Sequence, residues 1–255
     1  MSRLRVFVIT EDDPLYVAKF FEVFLAELPR EHVDLIGMTI SRAFHEPIWK
    51  TARRIHRFYG TTDFFRLFLR YAVAKLNRRG IGRLARACGI PLLETPSVNA
   101  NEFVERLAAM QVDLVVSVAA PEIFKPPLLR VARLGCINIH SGRLPRYRGM
   151  MPTFWQLRHG EHEAVVTIHE MAEKLDAGGV IAMRAVELRE RDVLDRVITA
   201  TKRDGARAMI EVLERTAKAG ELPPAVPLDM TQAGYFRFPD PESVKAFRTL
   251  GHRLL

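Results

Sequence analysis

The chain has 255 residues, 48% of them apolar and 27% charged, and a formal net charge of +8 at pH 7. That length suits one large α/β domain, or one domain with a small appendage, and no apolar run reaches the roughly eighteen residues of a membrane-crossing helix. The two cysteines, Cys88 and Cys136, form neither a metal-type spacing nor a disulfide framework, so a cytoplasmic setting is expected. The excess of positive charge favours anionic partners without choosing among them.

The opening segment, Met1 to Ile9, is too short and too quickly followed by Glu11-Asp12-Asp13 to read as a signal peptide. Residues 4–10 read as a parallel strand. Asp13-Pro14 is expected to cap a helix with a wide apolar face that Pro29 stops, and Val33 to Ile40 reads as a second strand. This βαβ opening predicts a twisted, mainly parallel, Rossmann-like sheet flanked by helices. Residues 42–80 interleave aromatic and basic residues at a spacing that suits two amphipathic helices broken near Gly60. Three readings of that segment stand side by side: solvated basic faces, a surface for an acceptor phosphate or an anionic membrane, and nucleic acid, the least favoured.

A short helix is expected from Gly80 to Cys88 and a brief strand from Ile90 to Leu93. Asn99 or Asn101 is expected to cap the helix that runs to Met110. Val112 to Val118 reads as a central strand covered on both faces, and Ala119 to Arg133 as a proline-rich turn and helix. Leu134 to His140 is the next strand, Pro152 to His159 a helix, and Ala164 to Met171 and Gly179 to Leu188 two further strands. A long helix starts near Asp192. From Gly220 onward the sequence reads as a short extension to a catalytic domain spanning 1–219.

Asn138 and His140 sit at the carboxyl end of a predicted strand, where open α/β sheets form their sites. Being two apart, they share one face. Histidine exchanges protons near neutrality, an amide N–H can hold a developing oxyanion, and a carboxylate can orient an imidazole. Asp176, in a glycine-flanked turn, is a candidate for that carboxylate. No Gly-x-Ser-x-Gly elbow is present, and neither Ser141 nor Ser117 has the surroundings of a nucleophile. Direct attack by an amine or water on an acyl group follows. Taken alone, an Asn-x-His is a weak signal, and an Asp-x-Gly is usually a turn former.

Asn138-Ile139-His140, Leu144-Pro145-Arg146-Tyr147-Arg148-Gly149, Pro152, Trp155, Gly160, Val166-Thr167-Ile168-His169 and Leu175-Asp176-Ala177-Gly178 together resemble the folate-dependent formyltransferases. That family includes the methionyl-tRNA, glycinamide ribonucleotide and amino-sugar enzymes. Order and spacing agree over about residues 112–182. The resemblance implies 10-formyltetrahydrofolate as donor and an amine as acceptor. It implies that Asn138 polarises the formyl oxygen, that His140 shuttles protons, that Asp176 orients His140, and that Thr167 supports the aspartate. It implies a pterin pocket lined by Pro121, Ile123, Phe124 and Leu129 on one side and by Ala172 and Leu175 on the other.

This chain departs from the family pattern at Ser141, at Ala119-Ala120 and at Thr10-Glu11-Asp12-Asp13-Pro14. Residues 220–255 are too few for the tRNA-binding barrel of the methionyl-tRNA enzymes. Arg143, Arg146 and Arg148 are candidates for a phosphate or carboxylate clamp, since guanidinium forks suit such groups. A small anionic acceptor is therefore expected, with an amino sugar or nucleotide-linked amino sugar as best guess. Hydrolysis of the donor, and a non-catalytic membrane- or partner-binding protein on the same fold, are the alternatives. No metal is expected. Nucleic acid is not an expected partner. Peripheral membrane contact through 42–80 and a homodimer are compatible with the sequence.

Overall fold

The structure is a computed structural model describing residues 3–41, 47–76 and 80–255, apart from the side chain of Ile48. Elements come in the order β1 (Leu4–Glu11), α1 (Val17–Glu27), β2 (Val33–Ser41), α2 (Ile48–Tyr59), α3 (Thr61–Leu76), α4 (Ile81–Ala87), α5 (Asn101–Ala109), β3 (Leu114–Val118) and α6 (Pro126–Leu129). There follow β4 (Cys136–His140), β5 (Arg148–Gly149), α7 (Pro152–Arg158), β6 (Glu163–Glu170), β7 (Val180–Glu187), α8 (Leu194–Ala219), β8 (Tyr235–Phe236) and α9 (Pro241–Thr249).

The main sheet has the order β2-β1-β3-β4-β6-β7. The first four strands pair in parallel, and β6 and β7 add antiparallel edges. The chain moves outward from β1 to β2 and then returns to the other side of β1 with β3. Open α/β sheets place their sites beyond the strand carboxyl ends at such a reversal.

Alternation in the strands separates two cores. Val6, Val8, Val116, Ile137 and Ile139 face α1 and α8, where Phe20, Phe21 and Phe24 are fully buried and Phe20 stacks on Phe24 at 5.3 Å. Phe7, Ile9, Val115 and Cys136 face the opposite layer, with Phe103 and Leu107 of α5. A third core joins Phe58 and Tyr59 of α2, Phe154 of α7, Val197 of α8 and Phe247 of α9. Residues 220–255 are thus folded back onto the body: Val226 pairs with Val180, β8 pairs with β5, and Phe247 stacks on Phe154 at 4.8 Å.

Asp13 does not cap α1, whose N-cap position is Tyr16; its carboxylate closes the turn ahead of the helix, accepting from the backbone N–H of Leu15 at 2.8 Å and Tyr16 at 3.2 Å. Gly60, at φ 78°, breaks α2 from α3; residues 42–46 and 77–79 of that segment lie outside the described residues. Three further expectations are corrected. Neither asparagine caps α5: Ala100 holds that position, and the Asn99 side chain instead bridges the Ile123 carbonyl and the Lys125 N–H. The strand expected at 90–93 is a single bridge between Leu92 and Met38, because Pro91 interrupts the donor pattern. The helix expected within 119–133 shrinks to one turn at Pro126–Leu129.

Phe247→Ala removes a fully buried ring from the third core, and a loss of about 3–5 kcal/mol is expected in urea unfolding. A single transition shifted as a whole is the expected trace. A separate early transition would make 220–255 an independent appendage.

Candidate functional site

β4 runs between β3 and β6, and its register places the polar side chains. Asn138 lies opposite Ser117 on one side and His169 on the other, and His140 lies opposite Thr167. Directly opposed residues of an antiparallel pair share a face. Asn138, His140, Thr167 and His169 therefore project together from the face opposite the α8 layer.

Asp176 comes to them from the β6–β7 connection. It has φ 50°, a left-handed conformation that aspartate tolerates better than most residues. Its Oδ1 lies 3.6 Å from His140 Nδ1 and 3.9 Å from His169 Nε2, and its Oδ2 accepts from the Gly149 N–H at 3.1 Å. His140 and Asp176 are each 8% exposed and His169 2%.

Hydrogen bonds fix both tautomers. His140 Nε2 lies 2.6 Å from the Tyr147 carbonyl, which can only accept, so Nε2 carries the proton and Nδ1 faces Asp176. His169 Nδ1 lies 2.7 Å from the Glu170 carbonyl, so its Nε2 offers a lone pair and accepts from the Asn138 amide at 3.1 Å. Burial, reinforced by His140 alongside, holds the His169 imidazole down at about 4. It is neutral at neutral pH and remains an acceptor for Asn138. The arrangement can orient an amide donor, hold a proton at one imidazole and steady that proton with a buried carboxylate.

Sequence reasoning missed His169, although the Val166-Thr167-Ile168-His169 motif contains it. In an alternating strand, its spacing alone reads as core. Its position across from Asn138 emerges only once the β4–β6 register is known. Also missed was a polar group on the α8 side, where Lys202 Nζ donates to Ser141 Oγ at 3.3 Å. Glu11 and Asp13 bear on that ammonium; burial, with Asp13 nearby, pushes the Glu11 carboxyl up to about 7, and burial pulls Lys202 down.

The expected site residues divide. Asn138, His140 and Asp176 converge. Thr167 is fully buried beside them, but its hydroxyl donates to the Gly142 carbonyl at 2.7 Å and accepts from the Leu144 N–H, so it braces the loop after His140 rather than Asp176. Phe124 is 2% exposed in the second core, with Leu129 packed behind it, so its ring offers little surface to a ligand. Ile123, Ala172 and Leu175 are exposed and Pro121 is half-buried. Cys136 offers no thiolate, since burial pushes it up to about 12.

The three arginines do not form one clamp. Arg143 pairs with Glu163 at 3.3 Å and Arg146 with Glu161 at 3.2 Å, while the Arg148 guanidinium donates to the Leu175 carbonyl. Charge counting overlooked these acidic partners. Arg148 is tied instead to the loop that carries Asp176.

A sequence profile of the family described as Formyl transferase matches residues 72–213. The methionyl-tRNA formyltransferase of Anaeromyxobacter sp. (strain K) is 37% identical over 158 residues, 62% of this chain and 50% of that protein. The chain spans about half the length of the curated relatives it matches. Glycinamide ribonucleotide transformylase 1 from Symbiobacterium toebii superposes with a TM-score of 0.61 at 19% identity, over 85% of this chain and 89% of that one. A sugar N-formyltransferase from Shewanella sp FDAARGOS_354 gives 0.56 at 18% identity, over 91% and 76%. At those identities the likeness is one of fold.

The His169 ring carries a pH signature. In the unfolded chain it returns to the ordinary value of 6.5, so between pH 6.5 and about 4 the unfolded state binds more proton than the native state. Stability is therefore present above that window and falls on acidification through it, by at most about 3 kcal/mol from this ring. Urea unfolding across the window should show a smaller acid-side loss in His169→Gln than in the unaltered protein. Equal losses would remove His169 as the source.

Proposed function

The chain belongs to the formyl transferase family, and on that premise we propose that it moves a formyl group from 10-formyltetrahydrofolate to the amine of a small acceptor, with an amino sugar or nucleotide-linked amino sugar as best match. The observation that carries this reading is the buried convergence of Asn138, His140 and Asp176, with His140 Nδ1 turned toward the carboxylate.

Asn138 directs an amide N–H at the formyl oxygen as negative charge develops there, and His169 keeps the amide from rotating. His140 accepts the proton of the attacking amine at Nδ1. The resulting imidazolium is held between the Tyr147 carbonyl and the Asp176 carboxylate. As the new C–N bond forms and the bond from the formyl carbon to the folate nitrogen breaks, His140 returns the proton to the departing nitrogen. No enzyme nucleophile is needed, in keeping with the inert Cys136.

Apolar surface on the two loops flanking β4 supports the donor assignment: Ile123 and Pro121 on one, Ala172 and Leu175 on the other. Both loops are fixed. Glu122 takes the Ser97 hydroxyl at 2.5 Å and the Val98 N–H at 3.1 Å, and Arg148 ties down Leu175. The mixed donors and acceptors of Glu11 and Ser141, at the carboxyl ends of β1 and β4, and of Lys202 of α8 facing them, support an acceptor rich in hydroxyls with an anionic group.

Asn138→Ala, His140→Ala and Asp176→Ala are each expected to cut turnover at least about a hundredfold in a folded protein. Near-normal turnover in any one would remove that residue from the mechanism. Gly178→Ala should approach Asp176→Ala in effect, because an added methyl would overlap the Glu170 backbone carbonyl and displace the aspartate loop. The deciding experiment is a screen of amino sugars, nucleotide-linked amino sugars and methionyl-tRNA with the donor, read as tetrahydrofolate release. Release with formate and no amine would make the protein a hydrolase. Formylation of methionyl-tRNA alone would overturn the small acceptor.

A further inference from the structure

The outward face of α3 is apolar. Phe65 is 62% exposed, Phe68 60%, Leu69 65%, Val73 45% and Leu76 80%. At about 100° per residue these side chains fall on one continuous stripe. The opposite face, with Leu67 and Ala74, is the one that packs inward. Stripes of this size on a folded protein mark interaction surfaces.

Charge says what covers it. Arg66, with 67% of its side chain exposed, borders the stripe on one side, and Lys75 on the other. On the neighbouring helix α2, Lys50, Arg53 and Arg57 are exposed beside Trp49, itself 61% exposed. Between residues 48 and 76 the sequence holds seven Lys and Arg against one acid, Asp63; Arg66 pairs with that acid, and Arg70 and Lys75 pair with Asp195 and Asp12, so the excess charge is concentrated on α2. A second copy related by two-fold symmetry would set this basic surface against itself with almost no carboxylate to offset it. Phe65, Phe68 and Trp49 offer rings to stack on, but Leu69, Val73 and Leu76 among them do not, and the stripe as a whole suits acyl chains. A helix with Phe and Leu on one stripe, arginine and lysine at its borders and a nearby tryptophan has the composition of an interfacial helix.

We infer that α3, with the basic face of α2, docks the protein on an anionic lipid surface. Phe65, Phe68 and Leu69 would enter the acyl boundary while Arg66 of α3 and the exposed Lys50, Arg53 and Arg57 of α2 extend to headgroup phosphates. This inference stands apart from the chemistry proposed above and uses none of its residues.

Co-sedimentation of the full chain with vesicles tests it. Vesicles of phosphatidylglycerol mixed with phosphatidylcholine should carry the protein down, and pure phosphatidylcholine should carry much less. Added salt should weaken the binding. Phe65→Ser, Phe68→Ser and Leu69→Ser combined should lower partition at least about tenfold with an unchanged melting curve, since all three side chains are exposed. Arg53→Glu with Arg66→Glu should lower it similarly and flatten the salt dependence. The inference is overturned if the unaltered protein ignores phosphatidylglycerol vesicles, or if the triple variant binds them equally well. A dimer that the triple variant splits, without vesicle binding, would make the face a self-association surface. Retention of a single-stranded RNA probe, unaffected by the triple variant and without vesicle binding, would assign the basic face to nucleic acid.

Discussion

The register between β4 and β6 is the constraint on which the centre rests. A slip of one residue would turn Asn138 and His140 toward α8 and send Ile137 and Ile139 to the opposite face. The apolar side prevents that slip. Ile139 is buried against Val166 and α8, and a Cβ on Gly205 of α8 would lie only 2.7 Å from Ile139 Cδ1, so helix and strand meet in close contact. Packing on one face of the strand thereby fixes the polar geometry on the other. The polar face is specified by the hydrophobic residues packed on the other side of the strand.

The second half of the arrangement is a loop held from three directions. The Gly149 N–H bonds the Asp176 carboxylate, Arg148 bonds the adjoining Leu175 carbonyl, and Gly178 lies against the Glu170 backbone. Arg148 and Gly149 form the short strand that pairs with Tyr235 and Phe236. Further bonds join the Gly234 N–H to the Pro145 carbonyl and the Met150 N–H to the Phe236 carbonyl. A segment that reads in sequence as a trailing extension thus buttresses the turn that supplies the carboxylate. Tyr147, whose carbonyl takes the His140 proton, stacks on Phe236 at 5.6 Å and belongs to the same buttress.

What the sequence shows and hides follows from the range of each interaction. The strand ending in Asn138 and His140, the turn at Asp176 and the break at Gly60 are local, and their periodicity or turn chemistry is visible along the chain. His169 is not visible in that way, because its meaning lies in a cross-strand partner 31 residues distant. Arg143 and Arg146 read as a clamp for the same reason: their carboxylate partners lie 20 and 15 residues onward, beyond any local pattern. Asn99 has the composition of a helix cap, yet it spends its amide on the loop at 123–125. Residue type was a good guide to where polar groups gather and a poor guide to which of them were already paired.

Two imidazoles and a carboxylate are buried together here, a combination that costs stability unless charge is shared out. The tautomers resolve this. His169 gives its only proton to a backbone carbonyl and stays neutral, so it adds a dipole and no charge. His140 also points one N–H at a carbonyl, which leaves its Nδ1 lone pair facing Asp176. That lone pair lies against a carboxylate already in position. Under the proposed formyl transfer, an imidazole lone pair beside a carboxylate is the arrangement for holding a proton between two reacting nitrogens.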